Sequence, residues 1–285
     1  MAITHFLRTF ASMNEFSLLM SVYNGEKAEY LTECFDSIYK QTVRPTEIVL
    51  VEDGQLNDSL REAIKHEEQR FPMMKRVVLK QNCGLGVALS EGMKACTYDL
   101  IARMDTDDIC SPNRFEVQLS YMQEHPEIDV LGAWITEFDH EPSNTVGVRC
   151  PPESHEAIYK FGKMRNPTNH PVVMFRRQSV LDAGGYLPFP LFEDYYLWAR
   201  MLVKGYRFHN LQQSLLLFRR SPEMIHRRGG LSYAQHEMAL LKKLREMGYI
   251  STYGMARNIA QRYVVRILPN FARGFVYRHL LRTKP

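Results

Sequence analysis

Short apolar runs alternate with helical spacings through the first half of this chain, and that alternation restricts the fold more than any other feature. Residues 16–22 and 47–51 read as buried strands, closed by Tyr23-Asn24-Gly25 and by Glu52-Asp53-Gly54. Between them Leu31, Phe35 and Ile38 recur at helical spacing. A charged helix is expected over residues 58–70, a third strand over 76–79, a helix over 85–95 and a fourth strand over 100–104. Ser111-Pro112 reads as an N-cap with proline at the first helical position, opening a helix that reaches Glu124. Residues 128–134 read as a fifth strand. Short buried strands separated by helices predict an α/β fold with a parallel, doubly wound sheet.

The second half is less regular. A strand is expected over residues 172–175, a turn at Gly184-Gly185-Tyr186 and a helix opening at Phe192-Glu193-Asp194. From Ser232 onward the pattern is helical.

In sheets of this kind ligands lie beyond the carboxyl ends of the strands. Tyr23-Asn24, Glu52-Asp53 and Asp105-Thr106-Asp107-Asp108 all fall at such ends, which points to a nucleotide site. Asp105, Asp107 and Asp108 put three carboxylates within four positions. Such a cluster repels itself unless a cation shares it, and hard oxygen ligands suit Mg²⁺ or Mn²⁺ holding a pyrophosphate. The alternative is a solvated acidic turn that caps the next helix.

Other candidates carry two readings each. Asp53, after a buried strand, can accept the imide N–H of a uracil ring or serve as an Asp-Gly turn residue. Gly84, Gly86 and Gly92 lack the third glycine of the dinucleotide fingerprint, and close helix-to-sheet packing is the expected role of Gly86 and Gly92. Glu193 and Asp194 can complement a helix dipole, or one can take a proton from an attacking hydroxyl. His170 fits a core position or a ligand-binding loop. Arg219-Arg220 and His226-Arg227-Arg228 can neutralise a leaving diphosphate or form a charged surface loop.

Composition narrows the classes. A formal charge of +4 on 285 residues gives no argument for nucleic acid. Cys34, Cys83, Cys96, Cys110 and Cys150 include no Cys-x-x-Cys pair, which argues against a disulfide framework or zinc site and fits a reducing cytoplasm. His5, Arg8 and Asn14 interrupt the apolar residues near the start, so no signal-peptide core is expected. No run reaches the roughly 18 apolar residues that span a bilayer. After Glu246 there is no acidic residue, while Arg257, Arg262, Arg266, Arg273, Arg278, Arg282 and Lys284 alternate with apolar side chains. That segment either lies in a membrane interface or packs on the rest of the protein.

Taken together, these pieces resemble the family 2 glycosyltransferases, inverting enzymes with the GT-A fold. The likeness covers about residues 16–220. It rests on the 16–24 stretch, Leu31 to Gln41, Glu47-Ile-Val-Leu-Val-Glu-Asp-Gly, Asn82-x-Gly-Leu-Gly, Arg103-Met-Asp-Thr-Asp-Asp and Glu193-Asp-Tyr-Tyr-Leu-Trp. His170-Pro-Val-Val-Met-Phe-Arg-Arg and Arg227-Arg-Gly-Gly are similar to bacterial enzymes that build O-antigen, capsule or exopolysaccharide. One departure is Glu52-Asp53-Gly54-Gln55, where the family often has Asp-Asp-Gly-Ser.

The resemblance implies a Rossmann-like, mostly parallel sheet flanked by helices, with a helical C-terminal extension. It implies a catalytic domain over residues 1–230, with a nucleotide-binding half at about 14–135 and an acceptor half at about 136–230, and a basic extension over 231–285. Asp53 would contact uracil, with Glu52, Tyr23, Asn24 and Arg103 also at the nucleotide. Asp105 and Asp107 would meet the ribose-diphosphate and its Mg²⁺ or Mn²⁺; Asp108 leaves that pair ambiguous by one residue and is expected to matter less. Asp194 would be the base, with Glu193 beside it. His170, His226 and Arg228 would face acceptor or diphosphate. The expected activity is transfer of a sugar from a nucleotide donor, UDP-linked by the uracil reading, to a glycan or polyprenyl-diphosphate-linked saccharide. The expected place is the cytoplasmic face of the bacterial inner membrane, as a peripheral protein. The rivals are a sugar nucleotidyltransferase and a non-catalytic scaffold of a polysaccharide assembly complex.

Overall fold

The structure, a computed structural model, describes residues 15–220 and 230–267. His226 and Arg228, and the cations of the C-terminal segment from Arg273 onward, lie outside the described residues.

The strands of the first half are β1 (Phe16–Val22), β2 (Glu47–Glu52), β3 (Met74–Val78) and β4 (Leu100–Arg103), all paired in parallel in the order β3-β2-β1-β4. Helices α1 (Ala28–Tyr39), α2 (Asp58–Arg70) and α3 (Leu85–Ala95) connect them. Both faces of the central strands are covered. Phe16, Leu18, Met20 and Val22 of β1 point into one layer with Leu31, Phe35, Ile38 and Leu60. Leu19, between them, points into the other with Val49, Val51, Leu89 and Met93. Burial on both faces is why these strands read as apolar runs rather than alternations.

β5 (Ile109–Cys110) and α4 (Arg114–Glu124) follow. The helix opens later than Ser111-Pro112 predicts. Ser111 donates its N–H to Leu215 O at 3.0 Å, and Pro112 O accepts from Thr42 N–H at 3.0 Å, so both residues are tied outside the helix. Then come β6 (Val130–Asp139), β7 (Thr145–Arg149), α5 (His155–Phe161), a 3₁₀ turn (His170–Val172), β8 (Met174–Arg176) and α6 (Arg177–Asp182). The chain continues through α7 (Glu193–Val203), β9 (Phe208–Arg220), α8 (Gly230–Glu246) and α9 (Thr252–Ile267).

β8 is antiparallel to both β4 and β6 and joins the two parallel parts of the sheet. β6 then pairs in parallel with β9, and β9 pairs antiparallel with β5. The expected fifth strand is thus longer, and β9 was not anticipated. The boundary expected near residues 135 and 136 falls inside β6. Leu240, Leu241 and Leu244 of α8 pack in the layer of Trp198, Asn258 of α9 donates to Lys163 O at 2.8 Å, and Tyr249 donates to Tyr159 O at 2.8 Å. The described part of the C-terminal extension therefore packs on the rest of the chain. All five cysteines are free thiols.

Candidate active site

β1, β2 and β4 end at one edge because they run parallel in adjacent register, with Val22 opposite Glu52 and Leu19 opposite Arg103. Beyond β4 the chain turns through Asp105, Thr106, Asp107 and Asp108 before β5. One carboxylate oxygen from each aspartate lies within 4.8 Å of the others. Asp105 pairs with Arg103. Burial, and then the charge of Asp105, push Asp107 up to about 7. Burial, and then the charges of Asp107 and Asp105, push Asp108 well above the usual carboxylate range. Asp108 Oδ1 accepts the Arg219 main-chain N–H at 2.9 Å, while its buried Oδ2 has no hydrogen-bond partner. Three hard oxygen donors, two of them held against ionisation and one unsatisfied, fit a divalent cation. Sequence position had put Asp108 last in importance; the structure places it deepest.

Arginines fix this loop. Arg103 is buried, and burial opposes its charge, but Asp105 holds the guanidinium fully protonated. Its Nε and Nη1 have no partner. Arg114 is buried on α4 and donates Nη2 to Arg103 O at 2.6 Å and Nε to Gln118 Oε1 at 3.0 Å. Arg219 is not part of a surface loop. Its side chain is 3 % exposed and spent on internal contacts. Each buried charge costs several kcal/mol in effective desolvation. A fully buried large apolar side chain contributes about 1.5–3 kcal/mol, so the two apolar layers offset what the site costs.

Asp53 is buried, and both its oxygens are taken by the loop before α3: Oδ1 by Cys83 N–H at 2.7 Å and Oδ2 by Gly84 N–H at 2.9 Å. Gly54 follows at φ 89°, where a Cβ would stand 2.5 Å from Asn82 N. Glu52 accepts from Arg76 Nε at 2.6 Å. Asn24 Oδ1 accepts Asn57 N–H at 2.8 Å, and Asn57 in turn caps α2 through Leu60 N–H at 3.0 Å. Tyr23 is exposed at the same edge.

The Glu193-Asp194 pair arrives from the second half, at the first turn of α7. Burial first, and the Asp194 charge second, push Glu193 up to about 7, and the charges of Arg103 and Asp105 also reach it. Asp194 Oδ2 accepts from Asn166 Nδ2 at 2.5 Å, and Oδ1 from Tyr195 N–H at 2.7 Å. Gly86 backs this turn: a Cβ there would lie 2.8 Å from Leu187 O and 3.1 Å from Glu193 Cβ. His170 is buried and bonds Tyr186 Oη at 2.8 Å. Burial, and then the Arg103 charge, hold its imidazole well below the usual range, hence neutral. It stacks edge-on to Trp198 with centroids 6.0 Å apart.

Arg103 pairs with Asp105, and its charge also reaches His170, Tyr186 and Glu193. Asn166, Arg114 and Tyr186 were missed from sequence because isolated polar residues in loops and helices carry no spacing signal.

Fold and site together define a GT-A glycosyltransferase. Residues 17–185 match the sequence pattern of glycosyl transferase family 2. The chain belongs to that family. It is 37% identical over 268 residues to a UDP-Gal:α-D-GlcNAc-diphosphoundecaprenol β-1,3-galactosyltransferase of Escherichia coli, covering 94% of this chain and 97% of the relative. It is 38% identical over 258 residues to the amylovoran biosynthesis glycosyltransferase AmsE of Erwinia amylovora, covering 89% and 96%. Among solved structures, S. aureus TarS 1-349 in complex with UDP-GlcNAc superposes with a TM-score of 0.64 at 18% identity, over 92% of this chain and 75% of that one. Family membership sets aside the nucleotidyltransferase reading.

Proposed function

We propose that this chain transfers a hexosyl or N-acetylhexosaminyl unit from a UDP-sugar to a saccharide carried on a polyprenyl diphosphate, with inversion. One observation carries the reading: Arg103 is buried where the aspartate loop and the Glu193-Asp194 turn come within reach of a single charge. That arrangement supports the reading of a donor-diphosphate site beside a proton acceptor. The E. coli relative supports the donor and carrier classes by its name.

The acceptor hydroxyl attacks the anomeric carbon from the side opposite the diphosphate, and Asp194 takes its proton. Asn166 orients that carboxylate. Glu193, held at about 7, is protonated for much of the time near neutrality and hydrogen-bonds a sugar hydroxyl. A Mg²⁺ or Mn²⁺ ion held by Asp105, Asp107 and Asp108 would supply Lewis-acid stabilisation of the departing UDP. Asp53 orders the loop that borders the uracil, with Tyr23, Asn24 and Glu52 at the same edge. His170 packs behind the reacting groups; a role for His226 and Arg228 toward acceptor or diphosphate rests on the family resemblance alone.

Such a carrier places the protein at the cytoplasmic face of the inner membrane, as a peripheral enzyme. No helix among the described residues is long and apolar enough to cross a membrane. The test is UDP release by the purified chain across a set of UDP-sugars, UDP-galactose first, with a GlcNAc-diphospho-lipid analogue and Mn²⁺. Product formation with an inverted anomeric centre is expected. A chain inert toward every UDP-sugar, with and without acceptor, would favour the scaffold reading instead.

A further inference from the structure

The geometry points to Arg219 as the positioning residue of the cation site, an inference that rests on the proposal that Asp105, Asp107 and Asp108 hold a divalent ion. The antiparallel register of β5 and β9 pairs Cys110 with Leu216 and Ile109 with Leu217. Continued by two residues, it sets Arg219 opposite Asp107. From there one residue grips both members of the Asp107-Asp108 pair. Its main-chain N–H donates to Asp108 Oδ1 at 2.9 Å, and its side-chain Nε donates to Asp107 O at 2.9 Å. The first bond aims a carboxylate; the second fixes the peptide plane between the two aspartates.

Arg219 is itself held on every side. Nη1 donates to His140 O at 3.2 Å, and Nη2 pairs with Glu33 of α1. The guanidinium carbon lies 3.9 Å from the centroid of the Tyr30 ring and 4.6 Å from that of Phe138. A planar, five-donor fork can fill three acceptors while stacked between two rings; an ammonium cannot. To reach a diphosphate the side chain would have to leave both rings and give up three hydrogen bonds. Its place is therefore behind the carboxylates, where residues that orient ion ligands usually govern affinity by about 10–100-fold.

The test uses the full chain and reads Mn²⁺ binding directly, from the loss of the free-ion electron paramagnetic resonance signal, with UDP present and no sugar donor. Arg219→Met keeps the main-chain bond to Asp108 and removes the side-chain bond to Asp107. It is expected to weaken Mn²⁺ binding by about tenfold or more, while metal-free UDP binding stays as in the parent. Arg219→Lys is expected to behave like Met, because the fork rather than the charge matters. Glu33→Gln changes a half-exposed partner, keeps the chain folded should Arg219→Met not fold, and is expected to shift Mn²⁺ binding in the same direction by less. Parent-like Mn²⁺ binding in Arg219→Met, or in Glu33→Gln if the former does not fold, overturns the inference. So does a loss of metal-free UDP binding in Arg219→Met, which would make Arg219 a diphosphate ligand. A parent that binds no Mn²⁺ in the presence of UDP overturns the underlying metal reading instead.

Discussion

Asn166 donates its side-chain amide to Oδ2 of Asp194 at 2.5 Å, across 28 residues of chain. The contact ties the loop after α5 to the first turn of α7 and sets the direction in which the Asp194 carboxylate faces. Asp194→Asn keeps the shape and removes the proposed proton acceptor. A fall in kcat of at least about 100-fold is expected, with UDP binding unchanged by calorimetry. Asn166→Ala is expected to lower kcat by about tenfold through misorientation alone. If Glu193→Gln is the crippled variant and Asp194→Asn is active, the roles of the two neighbours are exchanged.

The three aspartates are expected to rank differently from their order in the chain. Asp105→Ala and Asp107→Ala each remove a proposed ion ligand, and loss of transfer should accompany loss of Mn²⁺-dependent UDP binding. Asp108→Ala also leaves the buried Arg219 N–H without its acceptor, an added cost of about 1–3 kcal/mol in stability. It should therefore be inactive and the least stable of the three in thermal melts. An active Asp108→Ala with parent-like melting would contradict that placement. Activity of the parent in excess chelator would remove the ion altogether.

Asp107 and Glu193 are held at about 7, against ordinary values of 3.8 and 4.5. Between those limits the folded chain keeps protons that the unfolded chain has released. The resulting stabilisation is complete below the ordinary values and is lost as pH rises through about 7. In chelator, the melting temperature is expected to fall between about pH 5 and about pH 8. Added Mn²⁺ should raise it more at the upper end, where its ligands are ionised. A chelated protein whose melting temperature climbs over that range would refute the protonated site.

Gly86 lets the first turn of α3 approach Leu187 and Glu193 closely. Gly86→Ala puts a methyl 2.8 Å from Leu187 O, which the backbone can relieve only by moving the Glu193-Asp194 turn. Since α3 is a good host for alanine, the helix should survive. The expected result is a fall in kcat of about tenfold or more, with little change in stability. Unchanged kcat would show that the turn is free to yield.

The sequence made the first half legible almost residue by residue, and the second half in part: the strand near 172–175, the helix opening at Glu193 and the helices of the C-terminal part occur as β8, α7, α8 and α9, while β9 was not anticipated. Helices over 58–70 and 85–95 were expected with those limits and occur as Asp58–Arg70 and Leu85–Ala95. Their flanking strands are buried on both faces, so hydrophobic runs mark them cleanly. β9 was invisible because Asn210, Gln212, Gln213 and Ser214 interrupt it. Asn210 is buried there by bonds to Thr168 Oγ1 at 2.8 Å and Pro152 O at 2.7 Å, which no local pattern announces. The acidic motifs themselves were readable, since clustered carboxylates have few structural uses. That the charge of Arg103 reaches both the aspartate loop and Glu193 was not, because the relation depends on β8 entering the sheet antiparallel between β4 and β6.

β9 pairs with β6 from Phe208 to Arg220 and, on its other edge, with β5 at Leu216 and Leu217, next to Asp107 and Asp108. On the proposed assignment of the two halves, the acceptor-side chain supplies part of the wall of the donor site. Chimeras that graft the second half of one relative onto the first half of another, in order to redirect acceptor choice, will import this wall with it. Those joined after Arg220, or carrying β5 and β9 from the same parent, should retain donor use. Those that separate the two strands should lose it, whatever acceptor they were built to recognise.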